Sequence, residues 1–226
     1  MIHEYLKNSQ GIFVLKSDPG PQESQASGCF YDVGTSTYVD TDKCNACHQS
    51  LRPPVKIPPL SYEIEVEGKD VGDILFGPAA SILVSEKFMK GFTEEKLNGI
   101  EKFQPAQIVH VKRGEKKFPP TSEYHLISIA KIGRLDVQKS SLEEQPSCDV
   151  CLMSTHYKRV RRVILEPSSW DNMDIFTPFG ILAIVLTSAR FRTFCIEKGI
   201  SNAVFIPAVE FFEDFFPWEK AQKQDG

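Results

Sequence analysis

Two Cys-x-x-Cys pairs, Cys44/Cys47 and Cys148/Cys151, constrain the fold of this chain more than any other feature of its sequence. A two-residue gap turns both thiolates of a tight turn toward one point. Four thiolates then close a tetrahedral site with sulfur–metal distances of about 2.3 Å and no open position for a substrate. One pair alone is weak evidence for a metal, whereas two are strong. The pairs stand 104 residues apart, farther than the knuckles of ordinary zinc ribbons. One structural zinc bound by all four would staple distant parts of the chain, and its binding free energy would become folding free energy.

Other uses of the cysteines fit less well. The opening residues, Met1 to Lys7, lack the basic segment and apolar run of a signal peptide. The longest apolar stretch, Phe179 to Leu186, is too short to span a bilayer. A cytoplasmic location is therefore expected, and that compartment disfavours disulfides. Redox dithiols usually open a helix after a strand, which neither pair does. Cys195 shares a helical face with Phe191 and reads as a small core hydrophobe. Cys29 lies beside a loop with no evident partner. His48 and His156 lie near the pairs and read first as surface histidines, with support of the metal as the alternative.

The chain also repeats itself. Asp73-Ile74, Ser81 to Val84, Ser85-Glu86-Lys87-Phe88 and Phe103-Gln104-Pro105-Ala106 are followed in the same order by Asp174-Ile175, Ile181 to Leu186, Ser188-Ala189-Arg190-Phe191 and Phe205-Ile206-Pro207-Ala208. The offsets are 101 at Asp73/Asp174, 103 at Ser85/Ser188 and 102 at Phe103/Phe205, and the cysteine pairs join the scheme. Ile82-Leu83-Val84 and Ile181 to Leu186 have the continuous apolar pattern of buried strands. Ser85, and Thr187 or Ser188, sit where a helix N-cap belongs. Asn98-Gly99 and Lys198-Gly199 read as helix stops, and Gln107 to Val111 and Ala203 to Ile206 as the strands that follow. Residues 17–28, 114–122 and 139–147 read as exposed loops, the second separating the halves. The expected fold is α/β (mixed α+β). It has two related β-α-β-containing halves, residues 1–112 and 113–226, each preceded by a cysteine knuckle and the two joined by one zinc ion near a pseudo-twofold axis.

Composition narrows the function classes. Hydrophobic residues make up 41% and charged residues 25%, the balance of a folded globular chain. A net charge of -4 argues against broad phosphate-driven binding of nucleic acid. The one basic run, Lys158 to Arg162, alternates with Val160 and Val163 and reads first as a strand with a solvated face. No phosphate loop, dinucleotide fingerprint, His-Glu-x-x-His or Gly-x-Ser-x-Gly is present, so the expectation is a non-catalytic protein.

Widely spaced Cys-x-x-Cys pairs, each followed by a hydrophobic strand, a Ser-x-Lys/Arg-Phe helix and a Phe-x-Pro-Ala strand, resemble the double-CXXCG motif proteins. That family is abundant as paralogues in myxobacteria, and some members are toxin immunity proteins. The resemblance runs from about Cys44 to Phe211; His48 and Leu152 stand where the family motif has glycine. It implies a cytoplasmic protein of bacterial competition that binds and neutralises a cognate protein toxin. A zinc-ribbon nucleic-acid-binding or transcription-associated protein is the alternative. Acids interleave with aromatics from Glu210 to Glu219, and Glu213, Asp214, Phe215 and Trp218 are the candidate partner contacts.

Overall fold

The computed structural model describes residues 11–17, 26–33, 38–39, 43–51, 55–68, 70–78, 81–120, 122–140, 142, 147–152, 159–167, 169–181 and 184–214. The fold is mixed α/β, mostly strands, with two helices among the described residues. None of these helices is long and apolar enough to cross a membrane.

The larger sheet contains β2 (Ala26–Asp32), β5 (Ser61–Glu65), β6 (Asp70–Phe76), β7 (Ile82–Ser85), β8 (Ile100–Arg113), β9 (Lys116–Phe118) and β10 (Tyr124–Ile129). β8 is long enough to pair twice, with β10 along its first half and with β5 along its second. The pairings β10–β7–β6–β2–β5–β8 thereby return to β10 as a ring. Phe30, Tyr62, Ile64, Leu75, Leu83, Ile108 and Tyr124 pack together to fill it. The smaller sheet has the order β11 (Lys131–Arg134), β13 (Ile175–Phe179), β14 (Val185–Ser188), β1 (Ile12–Lys16), β15 (Val204–Pro207). Short pairs complete the strands: β3 (Tyr38–Val39) with β4 (Val55–Lys56), and β12 (Arg159–Val160) with β16 (Glu213–Asp214).

Strand register recurs between the sheets. β10 lies antiparallel between β7 and β8, with Tyr124 opposite Ser85 and Ala106. β1 lies antiparallel between β14 and β15, with Ile12 opposite Ser188 and its carbonyl accepting from the Ala208 amide at 3.0 Å. β2 pairs in parallel with β6, as β11 does with β13. Each β-α-β unit is therefore split by a strand from elsewhere in the chain. Residue 112 falls inside β8, and β1 and β10 each join the sheet on the far side of that line.

The helices α1 (Glu86–Glu94) and α2 (Ala189–Glu197) start at Ser85 and Ser188. Both serines have extended backbone, and their hydroxyls accept from the Phe88 and Phe191 amides at 3.2 and 3.1 Å. The buried helix faces meet through Phe88, Phe92, Phe191 and Phe194, whose ring centroids lie 5.7–6.5 Å apart. Each such buried ring contributes roughly 1.5–3 kcal/mol. A Cβ on Gly91 would come within 3.0 Å of the Phe194 ring, so the glycine gives that ring its seat. One apolar cluster holds these rings together with Ile74 and Val84 of the larger sheet and Leu15, Ile175 and Val185 of the smaller one.

Several readings of the sequence change here: the strand read over Ile181 to Leu186 is Val185–Ser188, and the loop read over 17–28 gives way to β2 at Ala26. Helix α1 stops at Lys96, with φ 51, ahead of Asn98-Gly99. Gly99 serves instead a close approach, since its Cβ would stand 1.8 Å from the Ile175 carbonyl oxygen. The segment 114–122 is also not all loop: Gly114, with φ 57, closes a hairpin between β8 and β9.

Two aspartates join the helices end to end. The Asp73 carboxylate accepts from Ser85 Oγ at 2.6 Å, from the Ser201 amide at 3.0 Å, from Ser201 Oγ at 2.9 Å and from Lys87 Nζ at 3.2 Å. The Asp174 carboxylate accepts from Ser188 Oγ at 2.8 Å, from the Asn98 amide at 3.0 Å and from Arg190 Nη1 at 3.0 Å. Lys87 and Arg190 go on to bind carbonyls at the end of the opposite helix, Gly199 for Lys87 and Glu95 and Lys96 for Arg190. Each carboxylate thus holds the capping serine of its own helix and the exit of the other.

Burial works to raise the Asp73 pKa, but the Ser85 and Ser201 hydrogen bonds and the Lys87 charge outweigh it and hold the carboxyl below its ordinary value. A depressed folded pKa contributes stability that is fully present above the unfolded value, about 3.9, and is lost as pH falls through the folded one. Asp73→Asn is expected to cost about 2 kcal/mol near neutral pH, the scale of hydrogen bonds to a charged group. In urea unfolding the wild type should weaken below about pH 4, and the variant should show a shallower acid slope.

Candidate metal centre

Each cysteine pair lies on a tight turn whose backbone is built the same way. In the first, the Cys44 amide donates to the Gln49 carbonyl at 2.9 Å and the His48 amide to the Cys44 carbonyl at 2.8 Å. In the second, the Leu152 amide donates to the Cys148 carbonyl at 2.8 Å. His48 and Leu152 both take the left-handed conformation, with φ 60 and 57. These are the positions after the second cysteine, where glycine meets no steric penalty. The turn keeps its geometry without glycine, at about 1–2 kcal/mol for each side chain held there.

The turns meet face to face. Cys44 Sγ lies 3.9 Å from Cys148 Sγ, and Cys47 Sγ lies 3.6 Å from Cys151 Sγ. All four sulfurs fall within 4.8 Å of one another. A tetrahedron with arms of about 2.3 Å has edges of about 3.8 Å, so the sulfurs stand at coordinating separations. They are too far apart for disulfide bonds of about 2.05 Å, and all are free thiols. Cys44, Cys148 and Cys151 are buried, and Cys47 is half-buried, with Leu51 packed against the group.

Backbone dipoles favour thiolates at Cys44 and Cys148. Amides of Cys47 and Ala46 point at Cys44 Sγ and draw its pKa down to about 7, and those of Cys151 and Val150 lower Cys148 likewise. At Cys47 the Gln49 amide pulls downward, but burial and the neighbouring sulfurs of Cys148 and Cys44 leave it raised. A cation at the centre of four sulfurs favours their ionised forms. The four residues read from the sequence as ligands are thus brought together and positioned for one metal ion.

The other candidates are placed differently. Cys195 is buried on α2, where burial pushes its thiol pKa up. Cys29 lies on β2 with its Sγ 3.3 Å from Tyr31 Oη; a phenol hydroxyl donating to that sulfur, with the charge on it, pushes the Tyr31 pKa up to about 12. His48 is exposed, and His156 lies outside the described residues. Glu213 pairs with Lys16 at 2.6 Å, and the Asp214 backbone pairs with Arg159. Phe215 and Trp218 lie outside the described residues, whereas Phe211 is buried in the core. Of the basic run, Val160 is buried, Arg159 is half-buried, and Arg161 and Arg162 are exposed. Sequence reasoning missed Lys131 and Arg134, which bind the cysteine turns, because cations on a strand look like solvated surface.

Fold and centre together define a mixed α/β protein with a four-cysteine site shaped for one structural metal. Comparison with protein-family models gave no match, and comparison with curated proteins gave none.

Elemental analysis of protein purified without chelator should find close to one metal ion per chain, and its absence would remove the centre. His48 is exposed and gains no burial for its strained backbone. His48→Gly is therefore expected to stabilise the metal-loaded protein by about 1 kcal/mol in denaturant unfolding. Leu152→Gly should give no such gain, because Leu152 is buried against Gly180.

Proposed function

We propose that this chain is two copies of one unit stapled by a single structural zinc, and that it acts in the cytoplasm as a non-catalytic protein that binds and neutralises a cognate protein toxin. The observation that carries this reading is the left-handed backbone at both His48 and Leu152. It places the two turns in the conformation a Cys-x-x-Cys-Gly motif encodes, and so supports the resemblance to the double-CXXCG proteins. Zinc is the ion because four thiolates in a tetrahedron suit it, and a closed set of protein ligands serves structure rather than catalysis. The recurring strand registers and the matched aspartate networks support the two-copy reading.

Neutralisation by occlusion needs a surface and no reactive group. The acids from Glu210 to Glu219 would suit a basic toxin face and steer its approach, with Glu213, Asp214, Phe215 and Trp218 as contacts. Pull-down from the native cell, with the bound protein identified by mass spectrometry, should return a toxin. Co-expression with that toxin should then rescue growth. Recovery of nucleic acid instead, with affinity that falls steeply as salt rises, would favour the zinc-ribbon alternative through Arg161 and Arg162. A flat titration at low salt removes that alternative.

A further inference from the structure

One four-residue strand, β11, reaches both segments that carry the cysteine turns. Lys131 at its start donates through Nζ to the carbonyl of Leu51, which packs on the thiols. Arg134 at its end donates through Nη1 to the Val150 carbonyl at 2.8 Å and through Nη2 to the Asp149 carbonyl at 3.1 Å. The guanidinium is held from behind by Glu166 at 3.3 Å. The Arg134 backbone is fixed by Ser169 Oγ, which accepts its amide at 2.9 Å, and by the Glu166 amide, which donates to its carbonyl at 2.8 Å.

The two carbonyls that Arg134 grips belong to the peptide groups Asp149–Val150 and Val150–Cys151. Their other ends are the Val150 and Cys151 amides, the two that donate to Cys148 Sγ. In a trans peptide the carbonyl and the amide point opposite ways. A cation on the oxygen side therefore fixes each plane with its N–H toward the sulfur and polarises it in the same sense. At the first turn the contact from β11 is that of Lys131 with Leu51, outside the Cys44–Cys47 loop.

We propose that Arg134 is a positioning residue for the metal, which sets how tightly the ion is held by gripping the two peptide groups whose amides serve Cys148. The inference rests on the zinc reading above. A tetrathiolate zinc centre is dianionic, so hydrogen bonds to its sulfurs and a nearby guanidinium both favour the loaded form. Lys131 performs the lesser, supporting part at the first turn.

The test is the rate at which zinc-loaded protein loses its ion to a strong chelator. Near-ultraviolet circular dichroism reports the fold, and cobalt substitution reports thiolate coordination by its absorption bands. Arg134→Gln should lose zinc on the order of 10-fold faster than wild type, the scale of outer-shell substitutions. Arg134→Lys keeps the charge but not the two-pronged grip, and should fall between. Asp73→Asn, which weakens the helix ends instead, should match wild type. If the glutamine variant fails to fold, the lysine variant decides. A lysine variant at wild-type rate, or an Asp73→Asn variant as fast as Arg134→Gln, overturns the inference while the zinc reading stands. Wild type that binds no zinc overturns both.

Discussion

Asp174 is almost fully buried, and a carboxylate in that position is tolerated only when hydrogen bonds replace the water it has lost. Its donors come from the start of α2 and from Asn98 just past α1, so the charge is satisfied only when both helices are in place. Asp73 makes the same demand with Ser85 and Ser201. The aspartates stand at β6 and β13, in different sheets, and each needs a donor from the segment leaving the other sheet's helix. Neither sheet can seat its helix alone, and the Phe88–Phe191 core forms where these requirements meet.

What the sequence reveals about this fold is what short-range chemistry decides. Ser85 and Ser188 are legible as caps because a hydroxyl three residues ahead of a free amide has one obvious use. The cysteine turns are legible because four thiolates at that spacing have few other employments. The end of α1 is not, since Gly99 is claimed by a contact with Ile175, and Lys96 accepts the left-handed position a glycine would otherwise fill. β9 hides as a loop because all three of its residues are exposed, which removes the alternation that marks a half-buried strand. The exchange of β1 and β10 leaves no local trace at all. Which sheet an apolar strand joins is settled by partners outside its own neighbourhood, more than a hundred residues away for β1.

The metal centre differs from the rest of the protein in what holds it. Among the described residues, 43–51 and 147–152 contribute little apolar core beyond the cysteines, Leu51 and Leu152. Their turns also carry two side chains in a conformation that works against them. The contacts keeping these segments face to face include a few sulfur contacts and the cations of β11. An ion bound there would act chiefly on these two loops.

The placement of β1 has a consequence for the order in which the protein can be completed during translation. Phe13 and Thr187 are 174 residues apart. A ribosome adding about 5–20 residues per second takes roughly ten to thirty-five seconds to cover that interval. Ile12–Lys16 waits that long with both edges unpaired, a state that invites other partners. The slot between β7 and β8 emerges before β10 does, and its register beside the helix cap is the one β1 later adopts next to Ser188. In a nascent chain, the matching slot in the larger sheet is thus complete before the one that β1 fills in the smaller sheet exists.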